Sequence, residues 1–124
     1  MVWNMLSAYP DFFAAGIPAS ALIQPTTVTV NKLRDVSIWI LCCDRDPYPS
    51  AQTSSALPVF NQFKSLTNRP KGVRITTFTE AVLANYAKKG EWDNEHYTWE
   101  AITYDMHMND GKVYAYTSTK DATG

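Results

Sequence analysis

The sequence predicts an α/β fold, a parallel sheet with flanking helices, and three observations carry that reading. Residues 37–43 (S-I-W-I-L-C-C) are a near-continuous apolar run of strand length, the pattern of a strand buried on both faces. Residues 73–79 (V-R-I-T-T-F-T) alternate and are rich in β-branched side chains, which marks a second strand. Between them, residues 54–66 place Leu57, Phe60, Phe63 and Lys64 at helical spacing. Strand, helix, strand in that order is a βαβ unit, whose strands run parallel through a right-handed crossover.

The remaining elements follow from local chemistry. Residues 1–9 have helical spacing, with Val2, Met5 and Leu6 on one apolar face and Trp3 alongside. Pro10 stops that helix, because the residue before a proline disfavours the helical region. Residues 12–18 (F-F-A-A-G-I-P) read as a brief buried strand in which Gly16 permits close approach of a neighbour. Residues 19–29, rich in Ala, Pro and Thr, read as a loop, and residues 31–35 as a polar lead-in to the next strand. Two aspartates and two prolines make residues 44–50 a turn. Pro58 is expected in the first turn of its helix, where a missing N–H costs little. Residues 68–72 end that helix. Residues 80–89 predict a further helix, closed by Gly90 after two lysines. Residues 99–104 suit another helical turn, and residues 113–119 an edge strand or a trailing end. The whole chain, 1–124, reads as a single domain.

Bulk composition narrows the function. The chain has 124 residues, enough for one domain with a real core. Its 45% hydrophobic and 19% charged content is that of a globular protein rather than a disordered one. Eleven basic and twelve acidic residues are interspersed, so no basic stripe exists to neutralise a phosphate backbone, and nucleic acid is not an expected partner. No apolar run approaches the roughly 20 residues that span a bilayer, and no membrane association is expected. Residues 1–6 lack the basic and long apolar regions of a signal peptide. Cys42 and Cys43 are adjacent, and neighbouring strand side chains point to opposite faces, so a disulfide between them would be strained. They read as reduced, small apolar residues. No cofactor and no metal is expected: a zinc set drawn from Asp44, Asp46, His96 and His107 has suitable ligand types but none of the close spacings that mark such sites.

The chemistry concentrates at the end of the strand over residues 37–43. There D-V-S-I-W-I-L-C-C-D-R-D-P-Y-P ends in two acids and a proline-rich turn, and His96 follows in the aromatic, polar sequence N-E-H-Y-T-W. Read with Y-P-D-F-F-A-A-G-I-P near the N-terminus, these motifs resemble the C-terminal part of an α/β-hydrolase. The nearest kin are esterase and prolyl-oligopeptidase-like serine hydrolases, including polyhydroxybutyrate-depolymerase-like esterases. That group commonly has a Tyr-Pro-Asp-x-Phe-Ala-Ala segment after the nucleophile helix, a triad acid preceding proline, and tryptophan three residues after the triad histidine. The resemblance covers roughly residues 1–104. It implies that Asp46, which immediately precedes Pro47, is the triad acid in preference to Asp44, that His96 is the general base, and that Trp99 packs near the histidine loop. In such a triad the carboxylate fixes the imidazole tautomer and stabilises the imidazolium formed in catalysis. The sequence departs from the family pattern at Glu95, where glycine often precedes the histidine, and in the extra helix 80–90, a lid or a surface decoration.

The larger departure is the nucleophile. In α/β-hydrolases it sits on a G-x-S-x-G elbow, and this sequence contains none. Ser7, Ser20, Ser50, Ser54 and Ser55 are not flanked by glycine on a strand-to-helix turn. The resemblance puts Met1 just beyond the elbow, so the chain is expected to be the C-terminal portion of a hydrolase. It would supply the acid and histidine but not the serine, for a small-molecule ester or peptide substrate. His107 reads as a packing or surface residue, and Trp39, Trp92, Tyr97 and Trp99 as packing residues or as the lining of an apolar pocket. The alternative is a small non-catalytic α/β binding module that uses the 44–50 turn and the aromatic loop to hold a ligand or partner. A partial parallel sheet exposes an unpaired edge. The isolated chain is therefore expected to aggregate, self-pair or be only marginally folded, which light scattering and thermal denaturation would check; a monodisperse, cooperatively melting monomer would count against its being a fragment.

Overall fold

A computed structural model describes residues 1–22, 25–67, 72–78 and 117–121. Among the described residues, four strands form one sheet in the order β1 (Ala15–Gly16), β2 (Ser37–Cys43), β3 (Val73–Phe78) and β4 (Thr117–Asp121). β1, β2 and β3 are parallel, and β4 runs antiparallel to β3. The expected βαβ unit is present: α3 (Thr53–Lys64) connects β2 to β3, and their register pairs Ile38 with Val73 and Ile40 with Ile75. Strands laid down in one direction by right-handed crossovers place their helices on one face. The core agrees, because Ile38, Ile40, Cys42, Val73 and Ile75 pack with side chains of α1 (Val2–Ala8), α2 (Thr27–Lys32) and α3.

Alternation sends Trp39, Leu41 and Cys43 to the opposite face, beside Arg74, Thr76 and Phe78 of β3. Leu41, Cys43, Thr76 and Phe78 are buried there, so the middle of the sheet is enclosed on both sides, as its apolar sequence requires. The Trp39 indole donates to Thr76 Oγ1 at 2.9 Å, tying the two strands on that face.

Several expectations are corrected in detail. In α1 the buried residues are Trp3 and Leu6, one turn apart, whereas Val2 and Met5 lie exposed. The large indole, not the valine, sets the rotation of this short helix. The expected strand over residues 12–18 shrinks to Ala15–Gly16, with Phe12 81% exposed, and pairing resumes only at a bridge between Ala19 and Leu41. Pro18 explains the gap. Ser37 N donates to Ala14 O, Leu41 N to Pro18 O, and Ser20 N to Leu41 O. The ladder therefore uses every second residue, and the proline nitrogen in that series has no hydrogen to give.

The stretch read as loop and polar lead-in contains α2. Thr26 caps it by accepting from Thr29 N, and Val30, Leu33 and Val36 anchor the segment in the core. Its run of Thr and Val conceals a helix, because β-branched residues have low helix propensity; burial of Val30 and Leu33 is what the local pattern does not register. α3 begins at Thr53, so Pro58 is its sixth residue and lies inside the helix rather than in the first turn. The missing N–H leaves the Ser54 carbonyl without its helical donor, at a position exposed to solvent. The buried stripe is Ala56, Val59, Phe60 and Phe63, with Leu57 half-buried at its margin and Lys64 exposed. An edge strand does follow near the expected place, as antiparallel β4. The helix over 80–90, the turn over 99–104, and Trp92, His96, Tyr97, Trp99 and His107 lie outside the described residues.

α1 and β1 touch at Gly16, where an added Cβ would lie 2.5 Å from Leu6 Cδ1 and 2.9 Å from Cδ2. Gly16→Ala is expected to destabilise by about 1–3 kcal/mol through overpacking. Because the clash is with Leu6, combining it with Leu6→Ala should cost clearly less than the sum of the single changes, read by urea unfolding of all four proteins. Phe63 has no exposed surface, and Phe63→Ala should cost about 3–5 kcal/mol in the same assay.

Candidate active site

The C-terminal ends of parallel strands lie together at one edge of the sheet, the usual place for a site in such folds. β2 stops at Cys43 because the backbone leaves the ladder after one further bond, from Asp44 N to Phe78 O at 3.1 Å. A turn at Asp44 and Arg45 follows, and both are exposed. Asp46 then folds inward and has no exposed surface. The two acids of D-R-D-P are thus separated by environment: one is solvated, the other enclosed.

A buried carboxylate requires hydrogen-bond donors. Tyr48 N donates to Asp46 Oδ1 at 2.9 Å across Pro47, the geometry of an Asx turn. Gln52 Nε2 donates to the Asp46 carbonyl at 2.7 Å, and Gln52 pairs by its backbone with Cys43. One glutamine therefore staples the turn to the end of the strand. The chain runs on through a short 3₁₀ turn, Pro49–Ala51, into α3, with Ser55 Oγ donating to Pro49 O at 2.6 Å. Proline at positions 47 and 49 restricts the backbone around the carboxylate, so the acid is held by a stiff loop between two regular elements. His96 lies outside the described residues.

Cys42 and Cys43 are free thiols and buried. Burial pushes the Cys42 thiol above its ordinary value. The Thr53 and Thr77 hydroxyls pull it back in part, and the charges of Asp44 and Asp46 push it further up. A thiol held protonated is a poor nucleophile and a poor metal ligand, in keeping with the packing role read from the sequence.

Ser20 is a feature that the sequence did not announce. It lies one residue past the Ala19 bridge, is 5% exposed, and has φ of 42°. For a residue with a side chain, that left-handed conformation costs of order 1–2 kcal/mol. Its Oγ is buried without a hydrogen-bond partner. A serine between two alanines carries no pattern signal, so only the three-dimensional structure exposes the anomaly. At the opposite end of the strands, a groove of about 420 Å³ is bordered by Gly16, Ile17, Ser37, Trp39 and Arg74. It is remote in topology from Asp46.

The fold is similar to that in a crystal structure of a thermostable esterase, with a TM-score of 0.62 and 19% sequence identity. The similarity covers 94% of this chain and 28% of the esterase, so the chain spans little more than a quarter of that protein's length. At this identity the likeness establishes an esterase-like α/β fold. No family model matches the sequence. No curated protein matches it either.

The buried thiol gives a pH dependence with a definite sign. The unfolded Cys42 ionises near its ordinary value of 9.0, whereas the folded thiol stays protonated beyond it. Its contribution is complete below pH 9 and is lost as pH climbs from there toward the raised folded value. The stability advantage of the native protein over Cys42→Ala should therefore shrink as pH rises above about 9, measured by urea unfolding at each pH.

Proposed function

We propose that this chain contributes the acid and the histidine of a Ser–Asp–His hydrolase acting on carboxylic esters, or on peptide bonds. The observation that carries this reading is the environment of Asp46. It is a carboxylate with no exposed surface, at the C-terminal edge of a central parallel strand, anchored through Oδ1 and its own carbonyl. Its fold is like that of an esterase. A triad acid needs such a setting, since a stiff, desolvated carboxylate orients imidazole more strongly than a solvated one.

In the proposed reaction a serine from elsewhere in the parent protein attacks the ester carbonyl. His96 takes the serine proton and later delivers it to the leaving alcohol. Asp46 holds His96 in the productive tautomer and balances the imidazolium charge, without itself taking the proton. Backbone amides outside this chain stabilise the oxyanion. The share of the esterase's length that the chain spans, 28%, is consistent with a nucleophile and oxyanion hole contributed from beyond these residues.

The test begins with the DNA ahead of Met1. An open frame encoding a strand and G-x-S-x-G, ending within about three residues of Met1, is expected. In the protein so encoded, Asp46→Asn and His96→Ala should each lower kcat for p-nitrophenyl butyrate by about 10⁴-fold, whereas Asp44→Asn should change it less than about threefold. An Asp46→Asn protein with near-native turnover would sink the assignment.

A further inference from the structure

The fold separates charge along its strands. Just ahead of β2 lie Lys32 and Arg34, and Arg74 is the second residue of β3; all three are exposed. Arg34 shares its charge with Asp35 at 3.7 Å. Past the opposite ends of the strands come Asp44 and Asp46, with Arg45 between them. The sheet is therefore more basic at its N-terminal edge and more acidic at its C-terminal edge.

The groove of about 420 Å³ lies at the basic edge. The strand register puts Ala15 beside Ser37 and Trp39 beside Arg74, and alternation turns all four to one face of the sheet. With exposed Ile17 they give the groove apolar walls and a cationic end. Arg74 is the one ionisable residue that borders it among the described residues. Trp39 is half-buried, and its ring is already fixed, because the indole N–H is held by Thr76 Oγ1 at 2.9 Å and Thr76 is wholly buried. A rigid, partly open aromatic wall loses little freedom when a ligand packs on it. Asp121 stands opposite Arg74 in the β3–β4 register. A guanidinium carries five N–H donors, enough for one acid partner and for a second pair of oxygens.

We infer that this groove is a binding site for a small aromatic carboxylate. The ring of the ligand lies against Trp39 and Ile17, and its carboxylate takes the Arg74 guanidinium. Apolar walls with a few polar groups fixing orientation are the usual make-up of a small-molecule site. A bare inorganic anion would leave the indole and Ile17 wet, and a neutral aromatic would leave the cation unmatched. The seven residues of β2 set the groove about 20 Å from the Asp46 turn. It is a second site, and it stands whether or not the hydrolase reading does.

Equilibrium dialysis of the 124-residue chain against 1-naphthylacetate at pH 7, read by naphthalene fluorescence, is the test. One equivalent should bind with a Kd of about 1 mM or tighter. The amide 1-naphthylacetamide keeps the ring and loses the charge, and should bind at least about tenfold more weakly. Arg74→Gln and Ile17→Glu, both at exposed positions, should each weaken binding by at least about tenfold. Arg74→Lys keeps the charge and should fall between, which separates lost charge from lost structure. Arg34→Gln and Asp46→Asn lie outside the groove and should leave Kd within about twofold. Four results would each overturn the inference: no saturable binding, equal affinity for acid and amide, a Kd unmoved by both groove substitutions, or displacement by an equal concentration of inorganic phosphate, which would mark a general anion site. Loss of binding in Asp46→Asn would overturn it as well, by moving the ligand to the candidate active site.

Discussion

The parallel pairing of β2 on both of its edges is the constraint on which the rest of the molecule depends. A strand paired with β3 along its length and with β1 and the Ala19 bridge on its other edge, apart from the break at Pro18, has most of its backbone satisfied internally, so it can be enclosed on both faces. That enclosure is what the run Ile38–Cys43 demands. It also forces the chain to cross over the sheet twice, through α2 and α3. Both crossings fall on one face because the strands follow one another in the same direction.

From that central strand the candidate site inherits its position. The backbone leaves the ladder one residue after Cys43, at Asp44, so the D-R-D-P turn is held at the C-terminal edge of the sheet. Gln52, bridged to Cys43 and donating to the Asp46 carbonyl, closes the turn into a loop fastened at both ends. The carboxylate is therefore positioned by the same hydrogen-bond ladder that stabilises the core. Disturbing the core should loosen the acid before anything near it is changed.

Just past the C-terminal end of β2 the Asp46 carboxylate is enclosed and hydrogen-bonded, whereas residues 1–22 carry seven of the eight large apolar side chains exposed among the described residues. The short β1, interrupted at Pro18, gives the sheet a weak edge on that side. A fold that completes its core around α3 yet leaves α1 apolar on both sides has its stability unevenly distributed, and α1 with β1 are the parts expected to open first.

What the sequence by itself determined was whatever rests on local pattern strong enough to have one reading. The apolar run of β2, the helical spacing of Leu57, Phe60 and Phe63 in α3 and the alternation of β3 each point to one element, and their order implies a parallel βαβ unit. The D-R-D-P turn was equally legible, since aspartate and proline have few other places to go after a buried strand. The tertiary structure decided the rest, where packing and hydrogen bonds that no pattern encodes fixed what the local sequence left open. α2 is helical despite its Thr and Val, because Val30 and Leu33 find a core to fill. α1 is rotated onto Trp3 and Leu6, with Gly16 of β1 leaving room for the leucine. The sequence favoured Asp46 over Asp44 only through the resemblance, by way of Pro47; its enclosure is decided by folding of the whole turn, with Gln52 paired to Cys43 and the amide of Tyr48 on its carboxylate.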